Sequence, residues 1–234
     1  MSPPALAASS PPALTVLLQL ADSALPTGAF SHSFGLEAYL ETGEVDDEAT
    51  LLAWLEGFLA TQLTHTDAVA IRRACRAETA AELVELDAEL TALLVPAQIR
   101  GASLKMGRRL LEIARDSFPS ERVEAYTRAT AGGACAGHYA IAFALAGAGQ
   151  GLDEETLVGA YLYSTLTSLA YNAVRAIPLG QLAGQRVLAA LRAKVPAAVD
   201  RSRAADQRTF GAAAPALEIH QMRHEHQRAR MFMS

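Results

Sequence analysis

Ser31, His32 and Ser33 stand together in the run Leu25-Pro26-Thr27-Gly28-Ala29-Phe30-Ser31-His32-Ser33-Phe34-Gly35-Leu36-Glu37, and hydroxyls beside an imidazole are the raw material of acyl transfer. Neighbours on a loop point apart, however, no Gly-x-Ser-x-Gly elbow is present, and no acid is placed to orient the ring. The run therefore predicts no catalytic residue. A small helical hydrolase using Ser31 and His32 would need an acid brought near by folding. The alternative is a tight turn in which a serine caps the next helix, with Gly28 and Gly35 serving positive φ or close backbone approach.

His220 and His224 lie four apart, on one face of any helix, with His226 close by. Imidazoles so spaced suit nickel or another transition metal, which makes a metal-binding tail a second alternative. Two histidines do not complete a site, and Arg223, Arg228 and Arg230 add repulsive charge, so no metal site is expected. His138 sits among Gly137, Tyr139, Ile141 and Phe143 and reads as a satisfied core histidine. The chain has no Gly-x-x-x-x-Gly-Lys-Ser/Thr loop, and Gly101 to Gly107 is not followed by the lysine and hydroxyl that cradle phosphates and magnesium, so no nucleotide site is expected either.

The elements that would position these residues are helical. The chain has 234 residues, 51% of them hydrophobic, with abundant Ala and Leu and no run of period 2. No linker or internal repeat divides it. Asp46 and Asp47 precede Leu51, Leu52, Leu55, Phe58, Leu59 and Leu63, an apolar stripe at helical spacing with acids at its N-terminus. Further helices are predicted at about 67–76, 80–93, 98–115, 134–148, 154–175 and 178–193, with prolines 96, 119, 178, 196 and 215 marking breaks and Pro178 near a first helical turn. The expected fold is all-α: a compact single-domain bundle of about eight to ten helices with a flexible C-terminal tail. Its parts would be a disordered segment 1–12, a helical domain 13–214 and a tail 215–234 with few apolar anchors.

Charge and composition exclude several functions. The net charge of −5 and pI near 5.7 leave no basic footprint for nucleic acid. Cys75 and Cys135 are too few and too far apart for a disulfide framework. The start Met1-Ser2-Pro3-Pro4 lacks a cationic leader, and the most apolar window, 134–149, is too short to span a bilayer and carries His138. A cytoplasmic protein without membrane attachment is expected.

Three separated segments carry a family resemblance. The loop Leu25 to Glu37 (with Leu17-Leu18-Gln19-Leu20 before it), Ile177-Pro178-Leu179-Gly180-Gln181, and Met222-Arg223-His224-Glu225 followed by Arg230-Met231-Phe232-Met233-Ser234 resemble, in order, the signature segments of the UreF urease accessory proteins. Gly137-His138-Tyr139 and Ser103-Leu104-Lys105-Met106-Gly107 resemble two further elements of that family. The resemblance spans roughly residues 14 to 234. It implies a non-enzymatic chaperone that scaffolds a complex of UreD (UreH in some organisms) and the GTPase UreG and supports GTP-dependent nickel insertion into apo-urease, nickel and GTP acting through the partner proteins and not as cofactors of this chain. It also implies partner-binding residues at Pro26, Gly28, Phe30, Ser31, Ser33, Gly35, Glu37, Met222, Arg223, His224, Glu225, Arg230 and Phe232. A homodimer is implied too, with Tyr161, Tyr163 and Tyr171 on one aromatic-bearing helix as its candidate interface.

The missing phosphate loop yields a prediction. The purified chain should release no phosphate from GTP, and turnover should appear only when UreG is added. Hydrolysis that scales with the concentration of the pure chain would contradict the scaffold reading.

Overall fold

The computed structural model describes residues 11–205, 208–211, 214–227 and 230–234. Among these residues the regular structure is ten α-helices, counting one composite rod, and two single 3-10 turns (Ala29–Ser31 and His224–His226), with no strand. The helices are α1 (Pro11–Leu20), α2 (Leu36–Glu41), α3, α4 (Ala80–Leu93), α5 (Ala97–Ser117), α6 (Glu121–Ala131), α7 (Tyr139–Ala148), α8 (Glu154–Ala176), α9 (Gln181–Ala204) and α10 (Pro215–Arg223). The third is one rod: an α-helical stretch Glu48–Phe58, a π-helical segment Leu59–Asp67 and an α-helical stretch Ala68–Arg76.

The centre of the fold is α7, whose residues 140–147 are all buried. A helix apolar on every side is stable only when surrounded, and α5, α8 and the last part of α3 pack around it. Close approach of α5 depends on Gly107. A Cβ there would lie 2.2 Å from the carbonyl oxygen of Gly137 and 2.6 Å from the His138 carbonyl carbon.

The start of α7 is fixed by a buried carboxylate. Asp87 accepts hydrogen bonds from Tyr126 Oη (2.5 Å), the Ala136 amide (2.5 Å) and the Gly137 amide (3.0 Å), while the Tyr126 oxygen accepts the His138 amide (3.0 Å). Gly137 adopts φ +91°, which ends the preceding loop and starts the helix at Tyr139, five residues later than the sequence pattern suggested. The His138 ring is the expected satisfied core residue, held by Thr91 Oγ1 (2.8 Å) and Ser103 Oγ (3.0 Å). Burial, working against the pull of Asp87, lowers its pKa to about 4 and keeps it neutral.

Local chemistry explains several of the helix ends. Asp47 with Thr50 and Thr79 with Glu82 form capping boxes on α3 and α4, and Ser120 and Asp153 cap α6 and α8. Arg122 caps the other end of α3 by donating to the carbonyls of Ala74, Cys75 (3.1 Å) and Ala77 (3.0 Å). The buried Arg72 ties α3 to α8 and α9 through Glu155 (2.8 Å), Glu154, Ser202 Oγ (2.9 Å) and the Val199 carbonyl (2.9 Å). Its bonds, with those of Arg203, lower the Glu155 pKa to about 2.

Two expectations about prolines are corrected. Pro196 breaks nothing: it lies inside α9 at an exposed position, while Val195 and Ala198 are buried and keep the helix packed. Pro178 precedes α9 by three residues, in the connection from α8, so the first turn begins at Gln181 without it. The tail does not stand apart from the bundle. Leu217, His220, Gln221, His224 and Phe232 are buried against it, and Gln221 Nε2 donates to Gln62 Oε1 (2.9 Å) and to the Phe34 carbonyl (3.0 Å). The π-helical turn contributes as well, since its widened backbone offers the His65 carbonyl to the Gly211 amide (2.9 Å) in the connection that leads to the tail.

The tight α5–α7 contact gives a paired prediction. Gly107→Ala should lower stability by about 2 kcal/mol or more, because the blocking atoms are backbone. Gly101→Ala, on the open face of the same helix, should be neutral or stabilising by up to about 1 kcal/mol. Urea midpoints of the two variants against the parent protein would check both signs.

Candidate functional site

The loop after α1 and the end of the chain form one structure. Gly28 and Gly35 adopt φ +86° and +93°, and Phe34 between them sits at φ +52°, a conformation rarely tolerated by a residue with a side chain. This winding turns the Ser33 and Phe34 amides toward the main-chain oxygen of Ser234, which accepts from both (2.5 and 3.0 Å) and from Ser33 Oγ (2.6 Å). On the other side of the turn the Ser31 carbonyl accepts the Met233 amide (2.8 Å). Gly35 is also a contact point: a Cβ there would lie 2.6 Å from Gln221 Cγ.

Glu37, in the first turn of α2, is the second anchor. Its carboxylate accepts from the Met231 amide (2.5 Å), the Phe232 amide (3.1 Å) and His224 Nε2 (2.7 Å). The other nitrogen of His224 faces Gln98 Oε1 (2.7 Å) on α5. Further along, Glu41 accepts from Gln227 Nε2 (2.6 Å), and Glu44 lies 3.1 Å from His220 Nε2. The His220 ring stacks on Tyr39, with centroids 3.9 Å apart.

The sequence-derived site residues thus fall into two groups. Ser33, Gly35, Glu37, His224 and Phe232 are engaged within the chain and build the joint. Phe30 is 53% exposed, and Pro26, Met222, Arg223, Glu225 and Arg230 are exposed too, while Gly28 and Ser31 are partly covered. Met231 (63% exposed) and Met233 (51%) join Phe30 on the outer side of the joint. Around them stand basic side chains: Lys105 Nζ lies 3.8 Å from Met233 Sδ, Arg109 Nε donates to the Pro26 carbonyl (3.3 Å), and Arg175 donates to the Phe30 carbonyl (3.4 Å) while lying over the Phe232 ring. The sequence patterns did not reveal Gln221, Gln98 or this basic rim, because each acts across elements far apart in the chain. Asn172, whose amide donates to the His32 carbonyl (2.9 Å), was missed for the same reason.

The aromatic helix residues separate likewise. Tyr161 is buried, its hydroxyl donating to Asp67 (2.8 Å) in the π-helical segment, where burial raises the Asp67 pKa to about 6. Tyr163 is half-buried against the core. Tyr171 is exposed, and its hydroxyl accepts from Gln185 Nε2 (3.0 Å).

The arrangement is poor in reactive groups. His32 Nδ1 lies 2.7 Å from Ser234 Oγ and not against Ser31, and Ser234 is buried. Burial, helped by the charge of Lys105, lowers the His32 pKa to about 4. Among the described residues no carboxylate is hydrogen-bonded to His32, so the hydrolase alternative finds no base–acid pair. The tail-metal alternative meets a similar obstacle, since both nitrogens of His220 and of His224 face protein oxygens. Among the described residues no group of three or more His, Cys, Asp or Glu is arranged to hold a metal ion, and no helix is long and apolar enough to cross a membrane. Burial pushes the Cys75 and Cys135 thiols up to about 11, which keeps both unreactive.

Residues 45–192 match the UreF family profile. The chain is 51% identical to the urease accessory protein UreF of Arthrobacter sp. (strain FB24) over 218 residues, 93% of this chain and 96% of that protein. It is 49% identical to the protein of that name from Paenarthrobacter aurescens (strain TC1) over the same length and shares. To that of Corynebacterium efficiens it is 46% identical over 217 residues, 93% of this chain and 95% of that protein. With such identity along almost the full length of both chains, this protein belongs to the UreF family of urease accessory proteins.

Proposed function

We propose that this protein is a non-catalytic scaffold of urease maturation, which docks UreD (UreH in some organisms), recruits the GTPase UreG and supports GTP-dependent nickel insertion into apo-urease. Nickel and GTP are bound by the partners, and the scaffold acts by favouring the UreG states that transfer metal. Residues 13–214 supply the helical body in this reading, and 215–234 supply part of the docking face. The observation that carries it is the union of two signature segments into one surface. Phe30, Met231 and Met233 lie exposed on a joint braced by many hydrogen bonds, with Lys105, Arg109 and Arg175 beside it. Exposed methionine and aromatic side chains with an arginine rim match the composition of protein interfaces.

The partner-binding set divides accordingly. Pro26, Phe30, Met222, Arg223, Glu225 and Arg230 would touch the partner, while Gly28, Ser31, Ser33, Gly35, Glu37, His224 and Phe232 would hold the surface in shape. A homodimer would form through the outer face of α8 and α9, where Tyr171 and the 77%-exposed Leu182 reach solvent, Tyr163 is half-buried and Tyr161 lies inside the fold. The assembly would work in the cytoplasm.

The split predicts different phenotypes. Phe30→Ala and Met233→Ser should leave the melting temperature unchanged, because both side chains are exposed, yet each should weaken capture of UreD about tenfold, as loss of an interface anchor does. Ser33→Ala removes a buried hydrogen bond and should lower stability by about 1 to 3 kcal/mol. Ser31→Ala should reduce urease activation only modestly. Full UreD capture and activation by a Phe30→Ala, Met233→Ser double variant would refute this docking face. Abolished activation in a stable, partner-bound Ser31→Ala protein would revive the catalytic alternative.

A further inference from the structure

Gly101, Lys105, Arg108, Arg109 and Glu112 share the outer face of α5, because residues three and four apart on a helix lie one above the other, and all five are exposed. Three of them are cations. Glu112 pairs with Arg109 (2.6 Å), whereas among the described residues no carboxylate is within ion-pair reach of Lys105 or Arg108. Arg108 Nε donates to the Ala136 carbonyl (3.0 Å), and Lys105 Nζ has the Met233 sulfur at 3.8 Å. Arg175, beside Phe30 and Phe232, is bonded to the Asn172 side-chain oxygen (2.6 Å) and the Phe30 carbonyl, and it too lacks a carboxylate among the described residues. Glu37, the acid inside the joint, is covered and commits its oxygens to Met231, Phe232 and His224. On a chain of net charge −5 these cations are a local excess of the opposite sign. We propose that the basic strip of α5 continues the docking face and that the partner covering Phe30, Met231 and Met233, UreD in the reading above on which this rests, meets it with an acidic patch that Lys105, Arg108 and Arg175 draw into register.

The strip is continuous with the joint at two points, the Lys105 contact with Met233 and the bond from Arg109 to the Pro26 carbonyl (3.3 Å). Its charge also reaches inward. Burial first and then the charge of Lys105 lower the His32 pKa to about 4, as an uncompensated cation nearby would. A protein partner fits better than a phosphate polymer or a lipid surface, because the cations are few, the whole chain repels polyanions, and the surface beside them is apolar side chain. Exposed charges at the edge of an interface add little to its affinity once it has formed. They act before contact, by attracting a complementary patch and suppressing wrong approaches, and so set the association rate and its salt dependence. The apolar centre acts after contact. Phe30, Met231 and Met233 would therefore govern how long the complex lasts, and the α5 strip how fast it forms.

The experiment follows the full chain binding to immobilised UreD as sodium chloride is raised from about 50 to about 500 mM. The association rate constant of the parent protein should fall about tenfold or more over that range. A Lys105→Glu, Arg108→Glu variant should associate about tenfold slower at low salt and lose most of the salt dependence, with a smaller change in dissociation rate. Lys105→Arg, Arg108→Lys, which keeps both charges, should associate at the parental rate. Parental association that is flat in salt would overturn the proposal whether or not the glutamate variant folds, and so would equally slow association of the charge-preserving variant. Retention of the parent protein by duplex DNA or anionic vesicles, lost in the glutamate variant while its UreD association is unchanged, would assign the strip to phosphates and overturn the proposal too. The Phe30→Ala, Met233→Ser double variant separates the two levels. If it loses UreD while association stays flat in salt, the docking face stands and its acidic partner patch is refuted; if it still captures UreD in full, the face itself fails.

Discussion

Backbone polar groups that cannot reach water must find partners, and here the two that matter most are about two hundred residues apart. The turn Ser33-Phe34-Gly35 directs two amides and a hydroxyl at the Ser234 oxygen, and the extended segment before Ser234 directs two amides at Glu37. Neither stretch is helical, so neither satisfies its own donors. Each is the other's hydrogen-bonding complement, and the left-handed conformations of Phe34 and Gly35 are sustained because the opposing segment holds them. The position of α10 follows from that pairing, and so do the burial of Gln221 against Gly35 and the outward display of Phe30, Met231 and Met233.

A second constraint keeps the platform rigid. The residues before α7 form an irregular loop whose amides would be stranded beneath α6, and Asp87 gathers three donors there. One carboxylate thereby ties α4 to α6 and to the start of α7. The ring of His138, held from α4 and α5, closes the same network. With Gly107 admitting the α7 backbone at contact distance, α5 is fixed in register, and α5 is the helix that carries Gln98, Lys105 and Arg109 to the tail and loop. Core and site are coupled through that helix.

How much of this the sequence reveals depends on the range of the interaction that decides each feature. The first part of α3 is legible because Asp47 and the leucine stripe act within a few residues, and the helical class is legible because composition and periodicity are local. Helix α6 is not: only Val123 and Tyr126 are buried on it, too few to mark a face. Pro196 misleads because the sequence does not disclose that its position would be exposed while its helix stays packed. In the loop, Gly28 and Gly35 signal their left-handed backbone by type alone, but nothing local signals that Ser33 would meet Ser234 or Glu37 the Met231 amide. The resemblance singled out both segments without joining them; the structure brings them into contact. Tyr161 shows the opposite failure, since an aromatic stripe reads alike for a core and an interface, and its bond to Asp67 depends on the π-helical insertion.

The residues that first suggested chemistry here are used as joints, and this supports a scaffold more directly than the absence of any motif. A catalytic imidazole must keep one nitrogen available to substrate, and a metal-binding one must offer a lone pair. His138, His220 and His224 instead have both nitrogens committed to protein atoms, and His32 is turned onto Ser234. The carboxylates are similarly occupied: Asp87 and Glu37 each accept three donors, and Glu154 and Glu155 are bound by arginines. What the joint leaves exposed is apolar surface, at Phe30, Met231 and Met233. Hydrogen-bonded polar groups below and exposed apolar groups above are the physical requirements of a docking face, because such a surface gains free energy by excluding water and not by transforming a substrate.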